Sequence, residues 1–313
     1  MYDGARKKRR LMDILVVGSV AFDSVETPFG KADEVLGGSA TYFSAAASYF
    51  ADVGMVAVVG EDFPDEHVEM LKDRGVDTRG LKKVPGKTFR WKGRYDYDLN
   101  QAHTLETHLN VFSEFKPVIP EDYRDTPFVF LANIDPELQM EVLEQVNEPR
   151  LVACDTMNFW IEGKPEALRR LLKNVELFVI NEAEAREFAG EPSLMKAARK
   201  ILDSGPTTLI VKRGEYGAIM FNGDSIFSAP AYPLEDIFDP TGAGDSFAGG
   251  LIGYLANTGD LSENNIRKAI VFGSVMASFN VEAFSLERLA GLSHDDIRSR
   301  YREFKRLTHF EDV

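Results

Sequence analysis

The stretch DPTGAGD at residues 239–245 leads directly into a helix-like run of small and apolar residues. A turn of Gly242, Ala243 and Gly244 that opens a helix leaves several backbone N–H groups without intrahelical partners, all pointing towards one place. The positive end of the helix dipole lies there too, which favours a phosphate group. Asp245 falls in the first helical turn, where its carboxylate can face a hydroxyl group. We therefore predict a phosphoryl-transfer site in which Asp245 activates the nucleophile and the three preceding residues hold the anion.

The simpler interpretation of residues 242–245 is a glycine-rich loop with Asp245 as an ordinary helix-start residue. The longer string favours function, because six specified residues in register arise by chance in roughly 1 of 10⁵ chains of this length. The string resembles the C-terminal signature of the ribokinase-like (PfkB) family of small-molecule kinases. This resemblance implies an ATP-dependent phosphotransferase that moves the γ-phosphate to an alcohol group of a sugar or sugar-like small molecule.

The composition is that of an ordinary soluble globular protein, with 44% hydrophobic and 27% charged residues over 313 positions. The net charge of −14 repels polyanions, which argues against nucleic acid as a partner. No apolar stretch reaches membrane-spanning length and no signal-peptide pattern is visible, so we expect no membrane partner and a cytoplasmic location. The single cysteine, Cys154, excludes an internal disulfide framework and lies in an apolar run typical of a core thiol.

The beginning of the chain departs from this acidic balance, because residues 6–10 are all Arg or Lys. No apolar periodicity accompanies these charges. We therefore predict a disordered basic tail over residues 1–11, with a contact to a membrane surface or a partner as the alternative. The rest of the chain, 12–313, is predicted to form a single ribokinase-like kinase domain.

Short β-branched runs alternate with amphipathic segments along most of the chain. Strands are predicted at residues 14–17, 55–59, 128–131, 151–153, 177–180 and 209–211. Helices are predicted at residues 66–74, 136–146 and 165–173. Continuous apolar strands between helices are typical of a parallel sheet that is covered on both faces. We therefore predict an α/β fold with a largely parallel central sheet and helices on both faces.

One segment, at about residues 84–113, breaks this alternation. Apolar and polar residues alternate along two arms, 88–97 and 104–111, on either side of a turn. A period of two on both arms predicts an antiparallel β-ribbon with one apolar face, and such a pair needs a surface to lean on. We expect a small β lid over the acceptor site or a clasp between the subunits of a homodimer; an edge hairpin on the main sheet is the alternative. A second ribbon is predicted at residues 218–221 and 225–228.

The resemblance covers most of the chain and implies an acceptor side near its start. Asp23 resembles the family's substrate-binding aspartate at the end of the first strand, where a carboxylate accepts hydrogen bonds from neighbouring hydroxyl groups. Gly37 and Gly38 resemble the glycine pair that lets the backbone touch the substrate. Tyr42 stands where the family commonly has a sugar-binding asparagine. This departure favours a bulkier or more apolar acceptor, and the alternative acceptor is a nucleoside whose base stacks on Tyr42 and the lid.

The resemblance also implies an ATP side. Asn181 and Glu184 resemble the family's N-x-x-E motif, which implies that Asn181 caps a helix while Glu184 reaches Mg²⁺ directly or through water. Lys212 and Gly214 resemble the strand end and the turn that contact the nucleotide phosphates. The nucleotide is therefore expected to lie across the C-terminal half of the domain.

Two further sets of residues are implied less directly. Asp239 and the carbonyl group of Thr241 match positions that line a monovalent-cation site, for an ion such as K⁺, in many family members. The remaining ligands of that ion and the adenine pocket are expected within residues 276–285. Asp155 and Asn158 follow another strand, but their D-x-x-N spacing differs from the family's D-x-N, so they are secondary candidates.

Two other classes of protein compete with a kinase. A dinucleotide-dependent oxidoreductase requires the pattern G-x-G-x-x-G after an early strand, whereas the glycines at 242 and 244 come late and lack the third glycine. A non-catalytic sugar- or nucleotide-binding protein on the kinase fold has no need for Asp245, Asn181 and Glu184 together. The kinase is therefore the favoured function.

Overall fold

The computed structural model describes residues 12–309 and residue 311, which form two β-sheets and the helices packed on them. The predicted basic tail, 1–11, lies outside the described residues. The strands in chain order are β1 Ile14–Val17, β2 Ala21–Thr27, β3 Gly30–Gly37, β4 Val53–Gly60, β5 Val76–Val84, β6 Phe89–Tyr95, β7 Ala102–His108, β8 Phe128–Leu131, β9 Leu151–Asp155, β10 Leu177–Asn181, β11 Thr208–Lys212, β12 Ala218–Asn222 and β13 Ser225–Ala229. The α-helices in chain order are α1 Ser39–Ala47, α2 Asp65–Asp73, α3 Pro136–Leu143, α4 Asn158–Gly163, α5 Pro165–Leu172, α6 Glu182–Ala189, α7 Leu194–Leu202, α8 Ala243–Thr258, α9 Glu263–Asn280, α10 Glu287–Ala290 and α11 His294–Thr308.

The larger sheet has nine strands in the order β13-β12-β11-β10-β9-β8-β1-β4-β5. Neighbouring strands from β11 to β5 are parallel. The strands β12 and β13 are antiparallel and form the predicted second ribbon at one edge. The chain builds outward from β1 in one direction through β4 and β5, and from β8 to β11 in the other. Ligands bind at the carboxyl ends of strands where the strand order reverses in this way, which here is between β1 and β8.

Two hydrophobic cores lie on the two faces of this sheet, and β1 shows how the sequence builds both. Ile14 and Val16 belong to the core that includes α1, α8 and α9, whereas Leu15 and Val17 belong to the core beneath α5, α6 and α7. All four side chains are fully buried, because a strand in the middle of a doubly covered sheet has no solvent face. The prediction of a largely parallel sheet with helices on both faces is confirmed.

The predicted strands occur where expected, with ends that shift by one or two residues. The sequence pattern does not predict β5, which is an edge strand. Its exposed residues include Arg79, Lys82 and Lys83, and these charges interrupt the apolar run that marks the inner strands. Charged side chains are common on edge strands because they discourage pairing with another chain.

The smaller sheet has four strands in the order β3-β2-β6-β7. The strands β6 and β7 form the antiparallel ribbon, and β6 pairs in parallel with β2. The alternative of an edge hairpin on the main sheet is therefore wrong. The prediction also missed β2 and β3, because charged residues such as Lys31, Asp33 and Glu34 interrupt any apolar run there. Every residue of β7 is exposed, and pairing of two copies through this lid stays a prediction.

Helices α8 and α9 pack closely because glycines line their contact. A Cβ atom on Gly250 would lie 2.7 Å from Cγ of Met276, and one on Gly273 would lie 2.7 Å from the carbonyl oxygen of Phe247. This packing fixes the axis of α8 and so the place where the helix begins. In the described part of the chain, no helix is both long enough and apolar enough to cross a membrane.

Candidate active site

The start of α8 is an open turn of backbone N–H groups. Gly242 directly precedes the helix and has a φ of 74°. This left-handed conformation is unfavourable for residues other than glycine. Within residues 12–309, the N–H groups of Gly242 and Gly244 donate to no acceptor. The Ala243 N–H donates instead to the Pro240 carbonyl at 3.2 Å, so the expected contribution of Ala243 to an anion hole is not offered in this conformation. Two backbone donors at the start of α8 are therefore free within this range.

A buried carboxylate holds this turn in place. Asp239 is fully buried, and its Oδ1 accepts a hydrogen bond from the Thr241 N–H at 2.9 Å. Its Oδ2 accepts from the Ser285 N–H at 3.4 Å. The Thr241 carbonyl accepts from the Asn280 side chain at 2.7 Å. The two groups predicted to line a cation site are thus already hydrogen-bonded to the protein, although each oxygen keeps a further lone pair.

Asp245 lies in the first turn of α8, and burial raises its pKa to about 6. The Lys212 ammonium group opposes this effect by stabilising the charged carboxylate. A carboxylate at a helix start would ordinarily be a weaker base than usual, so burial outweighs the helix dipole here. Lys212 ends β11, and a Cβ atom on Gly244 would lie 2.6 Å from its Nζ atom. The ammonium group is therefore adjacent to the turn.

Two more carboxylates surround Lys212. Asn181 and Glu184 form a capping box at the start of α6, in which the Asn181 side chain accepts from the Glu184 N–H at 2.8 Å. Glu184 Oε2 in turn accepts from the Asn181 N–H at 3.0 Å. Asp155, at the end of β9, is only 4% exposed, and its Oδ1 is buried without a hydrogen-bond partner. Burial raises the pKa of both carboxyl groups, and the Lys212 ammonium lowers it.

The residues predicted to bind the acceptor lie on the smaller sheet and at the start of α1. Asp23 is on β2 of the smaller sheet, β3-β2-β6-β7, which is called the lid sheet below. It does not lie at the end of β1 as predicted, and it is 5% exposed. Burial, together with the negative charges of Asp239 and Asp245, raises the pKa of Asp23 to about 7. A Cβ atom on Gly37 would overlap with the Asp23 carboxylate. Gly38 has φ of 95°, and a Cβ atom there would lie 2.6 Å from the Ser19 carbonyl oxygen. Only glycine fits at positions 37 and 38, because neighbouring atoms lie too close to the backbone to leave room for a Cβ atom.

Tyr42 supports the turn from beneath and does not present its ring to a ligand. Its side chain is 1% exposed, and a Cβ atom on Gly242 would overlap with the Tyr42 ring. The Tyr42 hydroxyl group is buried without a hydrogen-bond partner. Burial, followed by the charges of Asp23 and Asp239, raises the pKa of the phenol well above its usual range. The expectation that a base stacks on Tyr42 therefore fails, because the ring is covered.

The lid supplies two residues that the sequence did not single out. Tyr95 at the end of β6 is buried, and its Oη atom accepts a hydrogen bond from Thr241 Oγ1 at 3.4 Å. Asn100, in the turn between β6 and β7, lies against Gly214, where an added Cβ atom would overlap with Asn100 Oδ1. The period-two pattern places Tyr95 on the apolar face of the ribbon, but the distance of 146 positions between Tyr95 and Thr241 hides their contact.

No cluster of three or more His, Cys, Asp or Glu residues able to hold a metal ion by itself occurs in the described ranges, 12–309 and 311. The carboxylates instead surround an open turn and a lysine. A largely parallel nine-stranded sheet with candidate residues at its carboxyl edge, together with a separate four-stranded sheet, is typical of a ribokinase-type fold.

Comparison with known proteins agrees with this class. The sequence pattern of the pfkB family carbohydrate kinases matches residues 13–288, and the chain belongs to this family. A cytidine kinase of Thermococcus kodakarensis is 32% identical over 251 residues, which cover 78% of this chain and 89% of the relative. A deoxyribokinase of Salmonella typhi is 28% identical over 289 residues, covering 84% of this chain and 92% of the relative.

Among solved structures, a nucleoside kinase of Methanocaldococcus jannaschii superposes with a TM-score of 0.77 at 21% identity, over 94% of this chain and 100% of that protein. The shared architecture confirms the ribokinase-like fold. The family and the sequence relatives show that the chain is a small-molecule kinase, which transfers the γ-phosphate of ATP to an alcohol group of a sugar or sugar-like compound. The alternative of a non-catalytic binding protein is therefore set aside.

Proposed function

We propose that the acceptor is a nucleoside and that Asp245 is the base that receives the proton of its hydroxyl group. The free N–H groups of Gly242 and Gly244, next to a carboxylate whose pKa is about 6, support the role of Asp245. A base whose pKa approaches the working pH combines the correct protonation state with a useful driving force. The two donors meet the negative charge on the transferring oxygens, and one such donor is worth about 2.7–4 kcal/mol.

The proposed reaction is a single transfer of the γ-phosphoryl group to the acceptor hydroxyl group. The acceptor oxygen forms its bond to the γ-phosphorus as the bond from that phosphorus to ADP breaks, and the hydroxyl proton passes to Asp245. Because the transition state of phosphoryl transfer is loose, orientation contributes more than early deprotonation. Asp23, buried on the lid side, is proposed to accept hydrogen bonds from neighbouring hydroxyl groups of the acceptor, and Gly37 and Gly38 to allow its close approach.

The nucleoside is favoured over a free sugar because the cytidine kinase is 32% identical to this chain. A free deoxy-sugar is the second candidate, since the deoxyribokinase aligns with 84% of the chain. Both compounds present a pentose hydroxyl group, which fits a site that has Asp23 on one side and Asp245 on the other. Tyr42 is proposed to shape the acceptor site from below by supporting Gly242 rather than by stacking.

The ATP phosphates are proposed to lie between Lys212, Gly214 and the start of α8. Mg²⁺ fits this place, because the buried Asp155 Oδ1 lacks a partner and hard cations prefer carboxylate oxygens. Asp155 and Glu184 would hold the ion together with water and phosphate oxygens, which is how Mg²⁺ usually binds in phosphate sites. The ion supplies positive charge that neutralises the phosphates.

A monovalent cation such as K⁺ is proposed as a second ion, beside Asp239 and the Thr241 carbonyl. Both groups belong to the turn that carries the free N–H donors. An ion there would stiffen the turn without touching the acceptor. Replacing K⁺ by choline in the assay buffer is expected to lower kcat and to leave KM for the acceptor nearly unchanged; an equal rate in choline would contradict this site.

A panel of acceptors tests the proposal. The protein is mixed with ATP and Mg²⁺, and ADP release is measured with cytidine, uridine, adenosine, 2-deoxyribose, ribose, fructose and myo-inositol. We expect one of the nucleosides to give the highest kcat/KM and the Asp245→Asn variant to lose that activity. A higher kcat/KM with 2-deoxyribose than with every nucleoside would replace the first candidate by the second. ADP release with fructose or myo-inositol alone would contradict both.

A further inference from the structure

The lid sheet reaches both halves of the active site. On the acceptor side, β6 pairs with β2, the strand that carries Asp23. On the nucleotide side, the turn between β6 and β7 places Asn100 directly against Gly214. The ribbon therefore contacts elements on both sides of the proposed site, through β2 and through Gly214.

Two tyrosines near the end of β6 have opposite environments. Tyr95 is 9% exposed and faces inward, whereas Tyr97 is 87% exposed. Burying a phenol costs less free energy when its hydroxyl group finds a hydrogen-bond partner. The partner of Tyr95 is Thr241 Oγ1 at 3.4 Å, on the turn that precedes α8. The lid thus inserts a hydroxyl group next to the phosphoryl-transfer turn.

The electrostatic environment of this hydroxyl group includes Asp23 and Asp245, the two carboxylates proposed to contact the acceptor. Burial raises the pKa of the Tyr95 phenol, and the negative charges of Asp239, Asp23 and Asp245 raise it further. Tyr42 lies below, under Gly242. The Tyr95 hydroxyl group therefore lies beside the turn that precedes α8 and is close enough to Asp23 and Asp245 to interact with their charges.

We propose that Tyr95 is a positioning residue that competes with water for the place of the acceptor hydroxyl, so that the enzyme hydrolyses little ATP until an acceptor displaces the phenol. This inference rests on the proposed function of Asp23 and Asp245. In the reaction that Tyr95 suppresses, a water oxygen forms the bond to the γ-phosphorus while the bond to ADP breaks. One proton of that water passes to Asp245, so the products are ADP, phosphate and a proton. A phenol ring in that space leaves no room for the attacking water.

The test measures phosphate release from ATP without any acceptor, and acceptor-dependent ADP release in the same preparations. We expect Tyr95→Ala to raise acceptor-free hydrolysis at least about tenfold, because water enters the space that the ring leaves. Tyr95→Phe keeps the ring and is expected to stay within about threefold of the wild-type protein. Tyr97→Ala is the matched control on the same lid, and its hydrolysis is expected to equal that of the wild type. Loss of the whole fold would lower hydrolysis, and the Tyr97→Ala control shows whether any truncation of a lid side chain raises it.

Wild-type hydrolysis in Tyr95→Ala, with thermal unfolding showing an intact fold, would overturn the inference. If that variant does not fold, Tyr95→Leu replaces it, since leucine fills less of the space and keeps an apolar side chain; unchanged hydrolysis in Tyr95→Leu would likewise overturn the inference. A failure of the proposed function has a different signature. In that case the wild type phosphorylates no nucleoside or pentose, whatever its rate of hydrolysis.

Discussion

The two sides of the active site are built in different ways. The phosphoryl-transfer turn, 239–245, is one continuous stretch whose donors and carboxylate come from adjacent residues. The proposed acceptor side combines Asp23 from β2 with Tyr42 from α1 and Tyr95 from β6, and these residues are far apart in the sequence. A site that depends on local backbone geometry can therefore be recognised from a short sequence motif. A site that depends on contacts between distant segments cannot.

The largest expected effect lies on the continuous side. Asp245→Asn keeps the size of the side chain and removes the base, so kcat is expected to fall at least about 10²-fold. Acceptor binding, followed by the shift of the thermal unfolding temperature, is expected to persist because the change does not touch Asp23. Near-normal turnover in this variant would contradict the assignment of Asp245 as the base.

Gly242→Ala tests whether the turn depends on its backbone conformation. The added Cβ would overlap with the Tyr42 ring and would require a left-handed conformation, so the free N–H groups should move. We expect kcat to fall about 30-fold, since small displacements of positioning groups are costly. Gly244→Ala is the matched control, because its Cβ meets only the flexible end of Lys212, and a smaller loss is expected. Equal losses in both variants would contradict the packing argument.

Lys212→Gln tests whether binding of the nucleotide can be weakened without weakening binding of the acceptor. Removing a charged hydrogen-bond donor from a phosphate contact is expected to raise KM for ATP about tenfold. The KM for the acceptor should change little, because Lys212 lies among Asp155, Glu184 and Asp245 rather than beside Asp23. Steady-state kinetics with each substrate varied in turn measures the two KM values separately. A larger change in KM for the acceptor than in KM for ATP would contradict the proposed contact between Lys212 and the ATP phosphates.

The smallest expected effect is on stability. The pKa of Asp23 is about 7 in the folded state against 3.8 as the ordinary value, so the folded state retains a proton that the unfolded chain has lost. The contribution of Asp23 to stability therefore falls as pH rises from about 4 to 7 and then levels off. Asp23→Asn should raise the unfolding temperature by a few degrees at pH 8 and by less at pH 5.

Calorimetry of the wild type and two variants at both pH values checks this stability effect. Asp33→Asn on the neighbouring strand β3 is the matched control, because that side chain is exposed and its ion pair with Lys31 is a surface pair. We expect the unfolding temperature of Asp33→Asn to follow that of the wild type at both pH values. A pH-independent difference between Asp23→Asn and the wild type would show that the Asp23 carboxyl group is not strained by burial.

Particular elements show how far the sequence predicts the fold. The strands β1 and β8 are found with their observed ends, because a central parallel strand is apolar at every position. The strands β3 and β5 escape detection, because their exposed charged residues interrupt the apolar pattern. Placing β2 in the lid requires its parallel pairing with β6, which is a contact between distant segments.

The candidate site divides in the same way. Lys212, Asn181 and Glu184 are recognised because each stands directly at or after a predicted strand, where a local motif sets the geometry. Whether a ring is exposed or covered depends on the opposing element, so the burial of Tyr42 beneath Gly242 has no local signal. The same holds for Tyr95, whose partner Thr241 belongs to the other end of the chain.

The most direct measurement is a crystal structure with a non-hydrolysable ATP analogue and a bound nucleoside. We expect an oxygen of the terminal phosphate to lie about 2.7–3.2 Å from the backbone nitrogens of Gly242 and Gly244. We also expect the Asp245 carboxylate to contact the acceptor hydroxyl group. A terminal phosphate bound away from the start of α8, or an Asp245 side chain turned from the acceptor, would rule out the proposed phosphoryl-transfer site.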